Sequence, residues 1–312
     1  MELEMQYIDT IWKEKSFSKA SEVLYITQPA LSLAVKRIED KLGAEIFDRK
    51  QRPLELTDTG RAYISMIRHI QVIEDELQRE VQDIHDANKG TVRIGGTHFI
   101  NSYILAFALA GFASKHPNVQ LNLFEDSSTK LYDKLLKREL DITFSSDPSI
   151  IEKFDHHPAF SDHLLLAVHS SFEIPKEAEA LSLTPRDVAN GRHKEADCPT
   201  ADLTMFKDLE YILLQPGTNL DTRFHEIFKA AGFEPKVKMV LSQLVTVCRL
   251  ADNGLGAAFV SDRLVRSRTS NLRYFKIDSP FTERQLYYLM PKRYYTPFAV
   301  KAFIDYMTAN LK

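Results

Sequence analysis

Apolar positions along the first 85 residues recur three or four apart, which is the helical period. Leu3, Met5, Ile8, Ile11 and Trp12 predict an opening helix over residues 5–15. Ala20, Val23 and Leu24 predict a short helix from Ser18 to Tyr25, and Ala30, Leu31, Ala34, Val35, Ile38 and Leu42 a longer one from Gln28 to Leu42. Thr27 can cap the longer helix, Pro29 suits its first turn and Gly43 stops it. The pattern is helix, tight turn, helix, with small Ala20 and Ala30 placed to let the two helices cross closely. From Glu45 to Leu56 the chain predicts two extended arms joined by a basic turn, a wing. One long helix then runs from Thr57 to about Asn88, with a narrow seam of Tyr63, Met66, Ile70, Ile73, Leu77, Val81 and Ile84. At 1.5 Å per residue it would extend roughly 45 Å, too long for one small domain to bury. A seam of that kind predicts pairing with a twin helix, a solvated connector being the alternative.

Beyond Gly90 the period changes. Strands are predicted at Thr91–Gly95, Val119–Glu125, Leu140–Ser145, Leu164–Val168, Tyr211–Gln215, Val237–Val240, Ala257–Val260 and Gln285–Met290. Helices are predicted at Phe99–His116, Thr129–Arg138, Leu220–Ala231, Gln243–Asn253 and Thr296–Leu311. Such alternation argues for parallel strands with crossover helices. The inferred architecture is two α/β lobes joined by crossing segments, with a cleft between them. The polar stretch from Leu183 to Leu209 reads as a surface loop.

Composition narrows the class without naming a function. Of 312 residues, 44% are hydrophobic and 27% charged, ordinary for a globular chain with a sizeable core. No apolar run approaches the length of a membrane span, and the first residues are acidic where a signal peptide is basic, so a cytoplasmic protein is expected. The net charge of −3 argues against a nonspecific nucleic-acid coat but not against a sequence-specific binder. Residues 1–68 carry as many acidic as basic side chains, so a basic footprint must come from geometry, with Lys36, Arg37, Arg49, Lys50 and Arg52 on one side.

Candidate chemistry falls in two places. The second helix of the helix-turn-helix could enter a major groove while the wing's basic turn reaches phosphates, although the same spacing also occurs in ordinary helical bundles. In the α/β part, the ends of predicted strands carry hydroxyls at Thr97, Ser127, Ser128, Thr218 and Ser242, each placed to cap a following helix. Helix N-termini at strand ends suit a carboxylate or another anion. His98 and Phe99 could add specificity. The motif Gly254-Leu255-Gly256 follows a helix and precedes a strand, the reverse of a phosphate cradle. His156, His157 and His163, or His193 with Cys198, lack metal-ligand spacing, so no metal site is expected. No nucleophile elbow or paired-carboxylate motif points to catalysis.

The motifs carry a resemblance. S-F-S-K-A-S-E-V-L from Ser16, T-Q-P-A-L-S from Thr27, K-R-I-E-D-K-L-G from Lys36, I-F-D-R from Ile46 and L-T-D-T-G from Leu56 resemble the winged helix-turn-helix of LysR-type transcriptional regulators. N-V-Q-L-N-L-F from Asn118, L-D-I-T from Leu140, A-A-G-F-E-P from Ala230 and L-A-D-N-G-L-G-A-A-F-V from Leu250 are similar to the effector domain of the same family. The resemblance covers nearly the whole chain. It implies an N-terminal all-α winged helix-turn-helix (residues 1–60), a linker helix (61–89) and a two-lobe effector domain of the periplasmic-binding-protein type (90–312). In that domain the first lobe would comprise about 90–162 and 267–312, and the second about 163–266. It also implies Gln28, Pro29, Ser32 and Lys36 as recognition contacts and Arg49 and Arg52 as backbone contacts; beside what the resemblance implies, Ser18, Thr27, Leu33, Arg37 and Lys50 are further DNA-binding candidates. Leu33 departs from the pattern, standing where relatives often carry a polar side chain. Thr97 and Ser128 match positions that commonly touch effector. The partners implied are double-stranded DNA, a small effector, RNA polymerase and a second copy of the chain in a dimer or tetramer. Two rival readings are an enzyme or carrier on the two-lobe scaffold, and an architectural DNA binder without ligand.

Overall fold

The computed structural model describes residues 3–86, 89–265, 270–292 and 295–311. Asn88, expected to end the long helix, and the expected lobe boundary at 266/267 lie outside these residues. The chain divides into two compact units, Met1–His85 and Asp86–Lys312.

In the first unit, helix α1 (Leu3–Glu14) buries Ile8 and Ile11. Helix α2 (Phe17–Val23) is capped by the Ser16 hydroxyl, and helix α3 (Gln28–Leu42) by that of Thr27. The buried stripe of α3 is Leu31, Val35 and Ile38, one face at helical spacing. Ala30 lies off that face and is exposed, so the close crossing rests on buried Ala20 alone; Leu42 continues the stripe but, as the last residue of the helix, is exposed. Helix α2 stops before Tyr25, which takes a left-handed conformation (φ 54°) and turns the chain into α3. The wing consists of β1 (Phe47–Asp48) and β2 (Glu55–Leu56), antiparallel with Phe47 opposite Leu56. Helix α4 (Asp58–His85) has 28 residues, a length of about 42 Å. Its apolar positions Ile73, Leu77 and Ile84 are 64%, 60% and 76% exposed.

The second unit builds one five-stranded sheet around a long shared strand, and a parallel pair of strands in each lobe is joined to it by an isolated bridge. The strands are β3 (Gly90–Gly96), β4 (Val119–Glu125), β5 (Thr143–Ser145), β6 (Asp155–His169), β7 (Glu210–Leu214), β8 (Lys236–Leu241), β9 (Ala258–Ser261), β10 (Leu272–Phe275) and β11 (Glu283–Met290). In the first lobe the order is β4-β3-β5-β11-β6, with β3 and β4 parallel and a parallel bridge from Ile94 to Ile142 leading into β5. In the second it is β8-β7-β9-β6-β10, with β7 and β8 parallel and a bridge from Tyr211 to Ala257. Strand β6 pairs with β11 up to His163 and with β9 from Leu164 onward. One continuous strand thus passes from lobe to lobe, far longer than the Leu164–Val168 segment expected. Strand β10 is an addition to the expected set.

Two further expectations are corrected. The helix predicted without interruption over Phe99–His116 contains a π turn at Asn101–Leu105. The segment from Leu183 to Leu209 is not a surface loop: Leu183, Val188, Cys198, Leu203 and Phe206 are buried. It packs through a capped turn at Pro185–Ala189 and through backbone bridges from Leu183 to Tyr274 and Ala201 to Ile277. Its polar residues serve these turns, and the scattered apolar ones enter the core. No helix among the described residues is long and apolar enough to cross a membrane.

Candidate nucleic-acid interface and ligand cleft

The first turns of α3 stand away from the core. Gln28, Pro29, Leu33, Lys36 and Arg37 are exposed and Ser32 is half-buried. The Gln28 amide donates to the Ser32 hydroxyl at 3.0 Å. That bond joins adjacent turns and uses neither the amide oxygen nor the hydroxyl proton, a pairing suited to base edges. Leu33, 52% exposed, is the apolar element of the same surface. Thr27 is occupied as the cap, accepting from the Ala30 N–H at 3.4 Å, and Ser18 lies exposed on α2.

The wing's basic residues divide by role. Lys50 and Arg52 are exposed in the turn. Arg49 instead donates to Glu39 at 2.8 Å and lies over the Phe17 ring at 5.2 Å. Glu39 is buried in α3, and its other oxygen accepts the Ile46 N–H at 2.9 Å. This carboxylate therefore ties the wing to the recognition helix, and Arg49 completes that tie. At the far end of the wing, Thr57 donates its hydroxyl to the Glu45 carbonyl and accepts from the Gly60 N–H at 3.0 Å. The L-T-D-T-G motif thereby joins the wing to α4.

In the second unit, β3 and β4 end side by side, with Gly96 opposite Glu125. Thr97 and Ser127 follow them at N-cap positions, and neither hydroxyl makes a capping bond. Ser128 opens the helix Ser128–Leu136 behind Ser127. In the second lobe Thr218 does cap, accepting from Asp221 N–H at 3.1 Å. Ser242 does not, because the helix Leu244–Asp252 starts one residue later and Gln243 takes the N-cap. Phe99 is buried, 6% exposed and stacked on Tyr103. His98 is half-exposed, with Nδ1 3.3 Å from Glu125. The lobes meet beside these strand ends: Ser146, just past β5, donates to Asn219 at 2.7 Å. Arg223, on the helix that Thr218 caps, donates to the Phe281 and Glu283 carbonyls at 3.3 and 3.2 Å.

Residues 3–61 match the family model for the bacterial regulatory helix-turn-helix protein of the lysR family, and residues 85–312 match the LysR substrate binding domain. The chain belongs to the LysR family. It is a LysR-type transcriptional regulator with a helix-turn-helix and a substrate-binding domain. It is 27% identical to the uncharacterized HTH-type transcriptional regulator YcgK of Bacillus subtilis (strain 168), over 99% of this chain and 94% of that one. It is 28% identical to a probable RuBisCO transcriptional regulator of Cyanidioschyzon merolae, over 93% and 92% of the two chains. Its fold superposes on full-length CbnR complexed with its target DNA, with a TM-score of 0.64, 18% identity and 99% of both chains covered.

Several features of this LysR chain escaped sequence reasoning. Asp162 on the crossing strand is fully buried, receives Arg284 Nε at 2.6 Å and also accepts from Ser261. The only hint in the sequence is that polar residues interrupt otherwise apolar strands. His163 and His193, which no spacing links, meet at Asp262. A cavity of about 330 Å³, lined by Tyr103, Cys248, Arg249, Asp252 and Tyr274 among others, involves none of the expected effector residues. Burial pushes the Cys248 thiol up to about 11, leaving almost no thiolate at neutral pH.

Proposed function

We propose that the chain binds an operator in promoter DNA as a homodimer or tetramer, with the start of α3 in the major groove. Gln28, Ser32, Leu33 and Lys36 face base edges, assisted by Pro29, Arg37 and Ser18, while Lys50 and Arg52 on the wing hold phosphates. Arg49, with 46% of its side chain exposed, ties the wing to Glu39 and still reaches toward phosphate. The observation that carries this reading is the exposed first face of α3, with a prearranged Gln28–Ser32 pair, on a helix anchored by Leu31, Val35 and Ile38. The exposed seam of α4 supplies the surface for a second copy.

A small anionic effector, such as a carboxylate, would bind between the lobes at Thr97, Ser127, Ser128 and Thr218, with His98 at the rim. Support comes from the hydroxyls of Thr97 and Ser127, which make no capping bond at helix starts that favour negative charge. Binding would change lobe closure around β6 and β11, and so the contact with promoter and RNA polymerase. The protein would act in the cytoplasm and perform no catalysis. The domain limits 1–60, 61–89 and 90–312 belong to the same proposal.

The test is capture of genomic fragments by the purified protein at near-physiological salt with excess nonspecific competitor. Recovery of a few promoters that share an interrupted palindrome is expected. Uniform recovery would leave an architectural binder, and no recovery would turn attention to the cleft as a carrier or enzyme site.

A further inference from the structure

We infer that His163, His193 and Asp262 form a binding site for a transition-metal dication of the zinc type, at the point where β6 passes from one lobe to the other. His163 is the last residue of β6 paired with β11, His193 sits in the 3-10 turn Arg192–Lys194, and Asp262 directly follows β9. Three separate stretches of chain therefore bring one ligand atom each to within 4.8 Å of the others. His193 Nε2 lies 3.0 Å and His163 Nδ1 3.7 Å from the same oxygen, Asp262 Oδ2. Donors bound to a tetrahedral ion at about 2.0–2.2 Å stand roughly 3.3–3.6 Å apart, so small side-chain shifts suffice. The two imidazoles are 5.4 Å apart and nearly perpendicular, at 76°, as two corners of a tetrahedron allow.

Two observations beyond proximity favour a cation. The His163 Nδ1 atom is buried without a hydrogen-bond partner, although it faces the carboxylate. The His193 side chain is 2% exposed and presents Nε2 to the same carboxylate oxygen, so two ring nitrogens from separate stretches of chain aim at one point. A buried carboxylate flanked by imidazoles without full partners is completed by an ion that accepts nitrogen and oxygen ligands. Imidazole donors select zinc, cobalt or nickel over calcium and magnesium. Beyond the ligands, Glu283 Oε1 lies 3.6 Å from His163 Nε2, where a carboxylate orients a metal-bound histidine. Three protein ligands leave a fourth position for water or a small ligand.

Lys194 Nζ lies 2.9 Å from Asp262 Oδ2, on a side chain 44% exposed. Its ammonium occupies the oxygen that a metal needs, and its exposed stem lets it swing into solvent when one binds. Lys194 is therefore a competitor of the ion, which makes a prediction of unusual sign. A bound ion would pin the Leu183–Leu209 segment to the crossing strand and so link metal occupancy to the stiffness of the junction between lobes.

The full-length protein, stripped with chelator and dialysed, is titrated with Zn²⁺ against a chromophoric chelator and with Co²⁺ by visible absorption. One ion per chain is expected, together with a raised thermal midpoint. His163→Ala and the bulkier His163→Gln should each weaken binding about a hundredfold or more, and Glu283→Gln about tenfold. Lys194→Ala should tighten it, and His156→Ala should leave it unchanged. Circular dichroism and the metal-free thermal midpoint check that the variants are folded. Absence of tight Zn²⁺ binding by the wild type, equal affinity in a folded His163 variant, or weaker binding in Lys194→Ala would overturn the site.

Discussion

Gly60 shows how a single position holds the wing in place. A Cβ there would stand 2.0 Å from the Ile46 carbonyl oxygen and 2.9 Å from Leu56 Cδ2, both within or beside the wing. The same carbonyl accepts the Thr57 N–H at 3.1 Å, so it has little freedom to retreat. Gly60→Ala should therefore destabilise the first unit by about 1–3 kcal/mol, the usual cost of overpacking. A urea titration reads this as a lower midpoint, and an unchanged midpoint would show that the wing is loosely held. Asp262 makes a second prediction at this scale. Burial alone would raise its pKa, but the neighbouring His163 and His193 imidazoles and the Lys194 ammonium together outweigh burial and hold the carboxyl well below the usual range. Because the folded value lies below the unfolded one, its contribution to stability is present above the ordinary carboxylate pKa of about 4 and is lost as the pH falls below it. The stability difference between wild type and Asp262→Asn should thus be flat near neutral pH and shrink under acid. A difference that grew with acidity would reverse the argument.

At the scale of elements, the recognition helix and the wing call for different readouts. Ser32→Ala removes the partner of Gln28 and should weaken specific binding while the thermal midpoint stays nearly constant. Lys50→Ala should weaken binding on all sequences alike and reduce the salt slope by about one. Arg49→Ala should lower both affinity and stability, because its partner Glu39 is buried and keeps only the Ile46 N–H. If Arg49→Ala left stability untouched, the tie between wing and helix would carry no energy. The contrast also shows what could be read from the sequence. Helix α3 was legible because Leu31, Val35 and Ile38 repeat at the period of one helix face, and β4 because Val119–Glu125 alternates. Ala30, expected at the helix crossing, is exposed because its one-position offset from that stripe puts it outside. The segment Leu183–Leu209 was illegible since its buried residues follow no period: Thr184 and Asp187 cap one turn, and Leu203 and Phe206 fill gaps from another. The four residues of β10 are too few to show alternation. Capping likewise depends on where a helix starts, and a one-residue shift separates Thr218, which caps, from Ser242, which does not.

For the whole molecule, the governing feature is the surface that α4 leaves uncovered. Ile73, Leu77, Val81 and Ile84 are 64%, 60%, 43% and 76% exposed, at spacings that keep them along one side of the helix. Such a seam in water is unfavourable, at roughly 25 cal/mol for each Å² of apolar surface, and the proposed pairing with a second copy of the same helix would remove it. A net charge of −3 per chain offers only weak repulsion against that association. Self-pairing also bears on DNA: two recognition helices held together meet two half-sites, so the second is engaged at high effective concentration. The double replacement Leu77→Asp with Ile84→Asp should therefore lower the mass found by sedimentation to that of a smaller assembly. Operator affinity should fall with it, while binding to an isolated half-site changes little. The substituted positions are already solvent-exposed, so the thermal midpoint of a dilute sample should move less than the assembly does. Unaltered mass would place the association elsewhere in the chain; reduced mass with undiminished operator affinity would separate assembly from recognition and remove α4 from the account of DNA binding.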